Sequence, residues 1–262
     1  MLKPLEVTAA IWRIGMGRFT IESFIEEANS AKSTEEVARL FGEVLKDYGY
    51  DRFCYSLLTD HPSLGLEAGH GIVANYPEDW MSHYKANLYE KKDPVPRHGF
   101  ETLRPFTWES IQQTRELKAD EKRVMSEARE AGLLDGVAIP ICGHNGELAG
   151  VGMASSIGGI RPDVTVLRKL QALTMQFHLA FTDLEKKDRA VGIVHLTNRE
   201  KEILLWVAEG KSDSIIADII GVSHAAVRFH LNNIFKKLGA NERTLATVKA
   251  LRLGLILPSY VR

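Results

Sequence analysis

Tyr76, Trp80 and Tyr84 stand at i, i+4 and i+8, so a helix over about 77–89 stacks them on one face. Pro77 suits its first position, with Glu78 and Asp79 in its first turn. Asp93-Pro94 follows as the chain leaves that helix, and Trp108 lies beyond. An ionised carboxylate only accepts hydrogen bonds, an indole N–H only donates, and a phenol does both. Gathered around one cavity, such a set could hold a small polar molecule by its donors and acceptors. Taken singly, each residue has a plainer role: aromatic stripes usually build cores, and Asp before Pro usually makes a turn.

Hydrolytic and metal chemistry find no such set. His61, His70, His83, His98, His144 and His178 are scattered rather than clustered as a zinc site requires, and no Gly-x-Ser-x-Gly elbow occurs. The expectation is a protein that is not an enzyme, with no cofactor and no metal.

A second constellation lies near the C-terminus. Gly221-Val222-Ser223 is a three-residue turn in which Gly221 can take a left-handed C-cap, Val222 plugs the core and Ser223 can cap the next helix. On that helix, about 224–238, Val227, Leu231, Ile234 and Leu238 fall in one inward sector. The opposite sector carries Ala225, Phe229, Asn232, Asn233 and Lys236, flanked by Arg228 and Lys237. Small residues let a helix enter a major groove, amides and Arg bond base edges, and Lys meets phosphates.

These residues need elements to hold them. The 262 residues, 45% hydrophobic and 26% charged, fit one large and one small domain. Ser33-Thr34-Glu35-Glu36 is a capping box opening a helix over about 34–48. Strands are expected at 53–58, 136–142 and 147–155, the last two joined across His144-Asn145-Gly146, with a further helix over about 117–131. From Pro162 to about Lys187 one long helix carries Leu170, Phe177, Phe181 and Leu184, a seam fit either to pack on the sheet or to meet its copy in a dimer. The pattern is α+β, an antiparallel sheet covered by helices. Residues 187–196 lose the periodicity and form the expected linker. Thr197-Asn198-Arg199-Glu200 is another capping box, opening a helix with Ile203, Leu204 and Val207 that stops at Gly210; a short helix then buries Ile215, Ile216 and Ile219, and a last helix runs from Asn241 to about Leu253.

Charge divides at the same place. The whole chain is at −1, which disfavours nucleic acid, but residues 196–262 hold ten basic against six acidic side chains, leaving 23 against 28 in residues 1–195. The tail is thus +4 and the front −5. Two cysteines far apart, Cys54 and Cys142, no apolar h-region near the start and no membrane-length apolar run point to a reduced, cytoplasmic protein away from membranes.

Glu200, Leu204, Gly210, the stretch Gly221–Leu231 and Lys237-Leu238-Gly239 resemble the DNA-binding domain of LuxR-type transcription regulators over some 65 residues. Ala226 departs, since the family commonly has Thr there, and a hydroxyl contact to DNA is lost. The same tail also follows phospho-acceptor receiver domains, but this N-terminus lacks their paired acidic residues. Tyr76, Trp80, Tyr84, Asp93, Pro94, Trp108 and Gly136 instead resemble the acyl-homoserine-lactone-binding domain of LuxR-type quorum-sensing receptors.

That resemblance implies an α-β-α sandwich with a pocket between the sheet and one helical layer. It places the lactone-binding and dimerisation domain at 1–186, the linker at 187–196 and the helix-turn-helix domain at 197–262. It assigns the lactone's amide N–H to Asp93, its amide carbonyl to Tyr76, its lactone carbonyl to Trp80, and walls to Tyr84 and Trp108. Pro94, Gly136, Glu200, Leu204 and Gly210 are expected to be structural. Ser223, Ala225, Ala226, Arg228, Phe229, Asn232, Asn233, Lys236 and Lys237 are expected at the DNA. Where many members carry Thr or Ser on the strand at 151–155, this chain has Gly152, so extra room for a branched or aryl acyl group is expected, with Ser155 or a water compensating for the missing hydroxyl. The implied partners are a palindromic DNA operator, the lactone, a second copy of the chain and RNA polymerase. The alternative is a LuxR-type regulator that senses a non-lactone metabolite or acts without ligand.

Overall fold

The computed structural model describes residues 20–62, 64–143, 146–188 and 194–257. The chain divides into two compact units, 1–142 with 148–189 and 143–147 with 190–262. The first 19 residues, His144-Asn145 of the expected hairpin turn and residues 189–193 of the expected linker lie outside the described residues.

The first unit opens with α1 (Ile21–Ser30) and α2 (Thr34–Lys46), whose N-caps Thr20 and Ser33 accept from the backbone N–H three residues on. Five antiparallel strands follow in two groups: β1 (Arg52–Leu57), β2 (Gly69–Ala74) and β3 (Phe106–Thr107), then β4 (Leu134–Cys142) and β5 (Leu148–Ser155). Their spatial order is β2-β1-β5-β4-β3. Between β2 and β4 lie α3 (Glu78–Ala86), a 3-10 turn at Tyr89–Lys91, α4 (Pro94–Thr102), α5 (Trp108–Thr114) and α6 (Ala119–Glu130); α7 (Val164–Asp188) closes the unit.

Five strands stand where three were expected. β2 contains two glycines and no buried residue, so its sequence carries no apolar alternation; β3 is two residues long. Asp93-Pro94 does more than end the preceding segment. Asp93 is the N-cap of α4 and Pro94 its first residue, a pairing that starts helices, although Pro96 and Gly99 weaken the helical pattern beyond it.

Strand alternation separates two faces. Phe53, Tyr55 and Leu57 of β1, Val137, Ile139 and Ile141 of β4, and Ala149, Val151 and Met153 of β5 pack with α1, α2 and α7 in one core. Phe177 of α7 stacks on Phe41 at 4.4 Å and meets Tyr55 edge-on at 5.2 Å, so the apolar seam of the long helix packs on its own sheet. The other face is roofed by α3 to α6.

The second unit holds α8 (Asn198–Ala208), α9 (Asp213–Ile220), α10 (His224–Leu238) and α11 (Arg243–Arg252). Thr197 and Glu200 form the expected capping box, Gly210 takes φ +77, and Leu204 is fully buried. One expectation fails on α9, where Ile216 and Ala217 are buried while Ile215 and Ile219 are nearly half exposed. A run of apolar residues on a two-turn helix cannot all face one core.

Candidate functional site

Tyr76, Trp80, Tyr84, Asp93, Trp108 and Gly152 line one cavity between the sheet and the roof of α3 to α6. Its floor is the second face of the strands, where Cys54 and Ser56 of β1, Gly150 and Gly152 of β5, and Ala138 and Pro140 of β4 alternate with the large core residues. Leu58, Val95, Pro96, Phe106, Val124 and Met125 add apolar wall.

Asp93 is held by its own helix. Its Oδ1 accepts from Val95 N at 2.8 Å and its Oδ2 from the Tyr84 hydroxyl at 3.0 Å. A carboxylate has about four acceptor sites, so capacity remains toward the cavity. Burial raises its pKa to about 6, against the lowering effect of those two bonds. The Tyr84 phenol is pushed upward by burial and by Asp93, and therefore stays a donor.

Gly136 has a steric reason. A Cβ there would fall 2.0 Å from Trp108 Cδ2, so the indole lies directly on bare backbone. The room expected over Gly152 is filled: a Cβ there would sit 2.9 Å from the Tyr76 hydroxyl and 3.8 Å from Trp108 Cζ2. At Gly150 a Cβ would meet nothing closer than 3.5 Å, so the open part of the floor is one pleat further along.

Ser155 does not join the set. It is buried, and its hydroxyl accepts from Ile157 N and Gly158 N at 3.3 and 3.1 Å, shaping the turn after β5. The reason is parity: 152 and 155 differ by three, which puts them on opposite faces of a strand.

Three cavity residues carry chemistry that sequence reasoning missed. His70 stacks on Tyr84 at 4.2 Å, its Nδ1 lies 3.2 Å from Ser56 Oγ and its Nε2 3.6 Å from Cys54 Sγ. Burial holds the imidazole down at about 4 and pushes the Cys54 thiol up to about 12, so both are neutral near pH 7. Cys54 and Ser56, at alternate positions of a recognisable strand, were findable by period two; His70 sits on the irregular β2 and gave no signal. Among the described residues no cluster of His, Cys, Asp and Glu could hold a metal ion.

In the second unit Gly221 takes φ +67 and Ser223 accepts from Ala226 N at 3.2 Å, so the turn feeds α10 as its chemistry requires. Val227, Leu231, Ile234 and Leu238 are buried. Ala225, Arg228, Phe229, Asn232 and Lys236 are exposed, and Ala226 and Asn233 half-buried, on the outer side. Lys237 is exposed as well, but it has a partner within the unit. Its Nζ donates to Glu200 Oε2 at 2.7 Å, and Glu200 is buried. Burial pushes the Glu200 carboxyl up, yet the Lys237 ammonium and the Thr197 backbone and hydroxyl hold it below its usual value. Other tail cations are also used internally: Lys249 bonds the carbonyls of Leu238 and Gly239, and Arg243 that of Lys211. No single described helix is long and apolar enough to cross a membrane.

The family of autoinducer binding domains matches residues 33–181, and the luxR family of bacterial regulatory proteins matches residues 194–250. The quorum sensing-dependent transcriptional regulator RpaR of Rhodopseudomonas palustris is 31% identical over 92% of this chain and 96% of its own. The transcriptional activator LuxR of Aliivibrio fischeri is 27% identical over 92% and 96%. The crystal structure of Escherichia coli SdiA is similar with a TM-score of 0.73 at 26% identity, covering 90% of this chain and 98% of that one. With two modules in that order and relatives matched along nearly their whole length, this chain belongs to the LuxR family of quorum-sensing transcription regulators.

Proposed function

We propose that this protein binds an N-acyl-homoserine lactone in the first unit and, as a homodimer, a palindromic DNA operator through α10 of the second. The observation that carries the reading is Asp93, a carboxylate in the wall of an apolar cavity with two partners and acceptor capacity left over. A lactone supplies the amide N–H it lacks. Tyr76 donates to the amide carbonyl and Trp80 to the lactone carbonyl, while Tyr84 acts as wall and as a donor to Asp93. The acyl chain lies on the apolar floor, where each buried methylene adds about 0.8 kcal/mol. The open floor at Gly150 favours a branched or aryl acyl group.

On α10, Arg228, Asn232 and Asn233 read base edges, Phe229 and Ala225 meet thymine methyls, and Lys236 meets phosphate. The chain acts in the cytoplasm, in contact with RNA polymerase, without catalysis and without a cofactor.

Four lactones test the reading, carrying hexanoyl, 3-oxohexanoyl, 3-methylbutanoyl and phenylacetyl groups. Calorimetry should show at least one binding at one per protomer, and operator binding by the full chain should differ with and without it. The branched or aryl compounds should bind at least as tightly as the 3-oxo one. Absence of binding by all four contradicts the lactone reading, and clear preference for the 3-oxo compound contradicts the acyl assignment.

A further inference from the structure

We propose that the Trp108 indole N–H is a polar recognition group of the cavity, the second of two donors that converge with the Tyr76 hydroxyl on the amide carbonyl oxygen of the ligand. This rests on the lactone reading above.

The starting point is an orphan. Among the described residues, Trp108 Nε1 is one of three fully enclosed side-chain polar atoms with no hydrogen-bond partner, and it alone belongs to a residue lining the cavity. Neighbouring polar groups are matched: Tyr84 with Asp93, and Ser56 with His70 and the Gly71 N–H. An indole nitrogen can only donate, and a buried donor left unpaired loses its hydration for nothing in return. Something with an acceptor must meet it for that loss to be offset.

The packing fixes where that acceptor sits. One part of the ring lies against the bare backbone of Gly136, where Cδ2, Cε3 and Cε2 all come within 2.3 Å of a Cβ position, so the indole is seated as deeply as the strand allows. The Cζ2 atom reaches to 3.8 Å from the Cβ position of Gly152, itself 2.9 Å from the Tyr76 hydroxyl. In an indole Cζ2 and Nε1 flank the same fusion carbon, Cε2. Nε1 thus shares a ring edge with the atom nearest Gly152, two bonds away from it, and itself lies beyond 4 Å of that Cβ position. Gly152 offers no hydroxyl of its own, so the donors for this part of the cavity come from the Tyr76 hydroxyl and the indole N–H.

A carbonyl oxygen has two lone pairs in one plane and can take a donor on each. An N–H would leave the indole unmatched, and a hydroxyl, although its oxygen accepts, would bring a further donor to a place that already holds two. The amide carbonyl fits for a further reason: its own N–H belongs to Asp93, so one planar amide satisfies the carboxylate on one side and the two donors on the other.

Trp108→Phe in the full chain keeps a flat ring over Gly136 and removes the N–H. Each of the four lactones named above is prepared with 13C at the amide carbonyl and tested by calorimetry and infrared difference spectroscopy. Those that bind the wild type should bind Trp108→Phe about 5- to 30-fold more weakly, and their labelled carbonyl band should move to higher frequency while the lactone carbonyl band stays put. Unchanged affinity with an unmoved amide band overturns the proposal. Should Trp108→Phe fail to fold, Tyr76→Phe decides: with Trp108 donating, the labelled band stays below its position in hydrocarbon solvent, and a band at the hydrocarbon position overturns the proposal. If none of the four binds the wild type, the lactone reading itself fails and this inference falls with it, an outcome distinct from a wild type that binds and a variant that does not differ.

Discussion

Phe53, Tyr55 and Leu57 on β1 point into a packed core, while Cys54 and Ser56 between them line the cavity. β5 repeats the contrast with Val151 and Met153 against Gly150 and Gly152, and β4 with Val137 and Ile139 against Ala138. Backbone, register and hydrogen bonding are shared by the two faces, so side-chain volume alone makes one side solid and the other hollow. Proteins normally fill such space to crystal-like density. A hollow maintained by small residues on three adjacent strands, with a carboxylate and aromatic donors in its walls, is built for a guest that completes the core.

The contrast can be broken most severely from the filled side. Phe177→Ala removes a ring packed against Phe41, Phe53, Tyr55 and Phe181 and should lower stability by about 3–5 kcal/mol in denaturant unfolding. On the hollow side the largest effect should fall on ligand rather than on fold. Asp93→Asn should weaken lactone binding about 10- to 100-fold by calorimetry.

Acidity sharpens the same point. Burial holds Asp93 near 6, above its unfolded value, so without ligand its contribution to stability is present at low pH and is lost as pH rises through about 6. A ligand N–H favours the ionised form. Lactone affinity should therefore be level above pH 6 and fall by up to about tenfold per unit below it, with proton release on binding near pH 6; an affinity flat from pH 5 to 8 refutes the acceptor role.

On α10 a cation paired with a buried carboxylate and a neighbouring one for which no such pair is seen among the described residues offer a smaller version of the comparison. Lys237→Ala leaves Glu200 without its ammonium and should cost about 1–2 kcal/mol of thermal stability. Lys236→Ala should leave stability unchanged and reduce the salt slope of operator binding by about one. Smallest of all should be Gly150→Ala, whose methyl meets only ordinary contacts: stability within about 0.5 kcal/mol of wild type, with selective loss of the bulkier acyl groups.

Much of this was written in the sequence. Strong local signals carried over into structure: the capping residues Ser33, Thr197 and Ser223, the left-handed Gly221, and the inward sector of α10 all stand where their chemistry put them. The aromatic stripe and Asp93 do line one cavity. What failed was long-range or two-sided. Ser155 stands three residues from Gly152 and so, by strand parity, on the other face, and the ion pair of Lys237 with Glu200 spans 37 residues. Ile215 and Ile219 looked buried because they are apolar, yet a short helix has only one inward face. His70 lay on a glycine-rich edge strand that periodicity does not mark. That Tyr76 fills the space over Gly152 depends on a residue 76 positions away and is a property of the fold alone.

The hollow face makes one claim above the others, that an intact acyl lactone occupies it. The full chain is expressed with the four-lactone mixture, purified, denatured, and its released small molecules weighed by mass spectrometry. The wild type should release one unaltered lactone per protomer, and Asp93→Asn recovered in folded form clearly less. Folded wild type that releases no lactone, or only a hydrolysed acid, would contradict it.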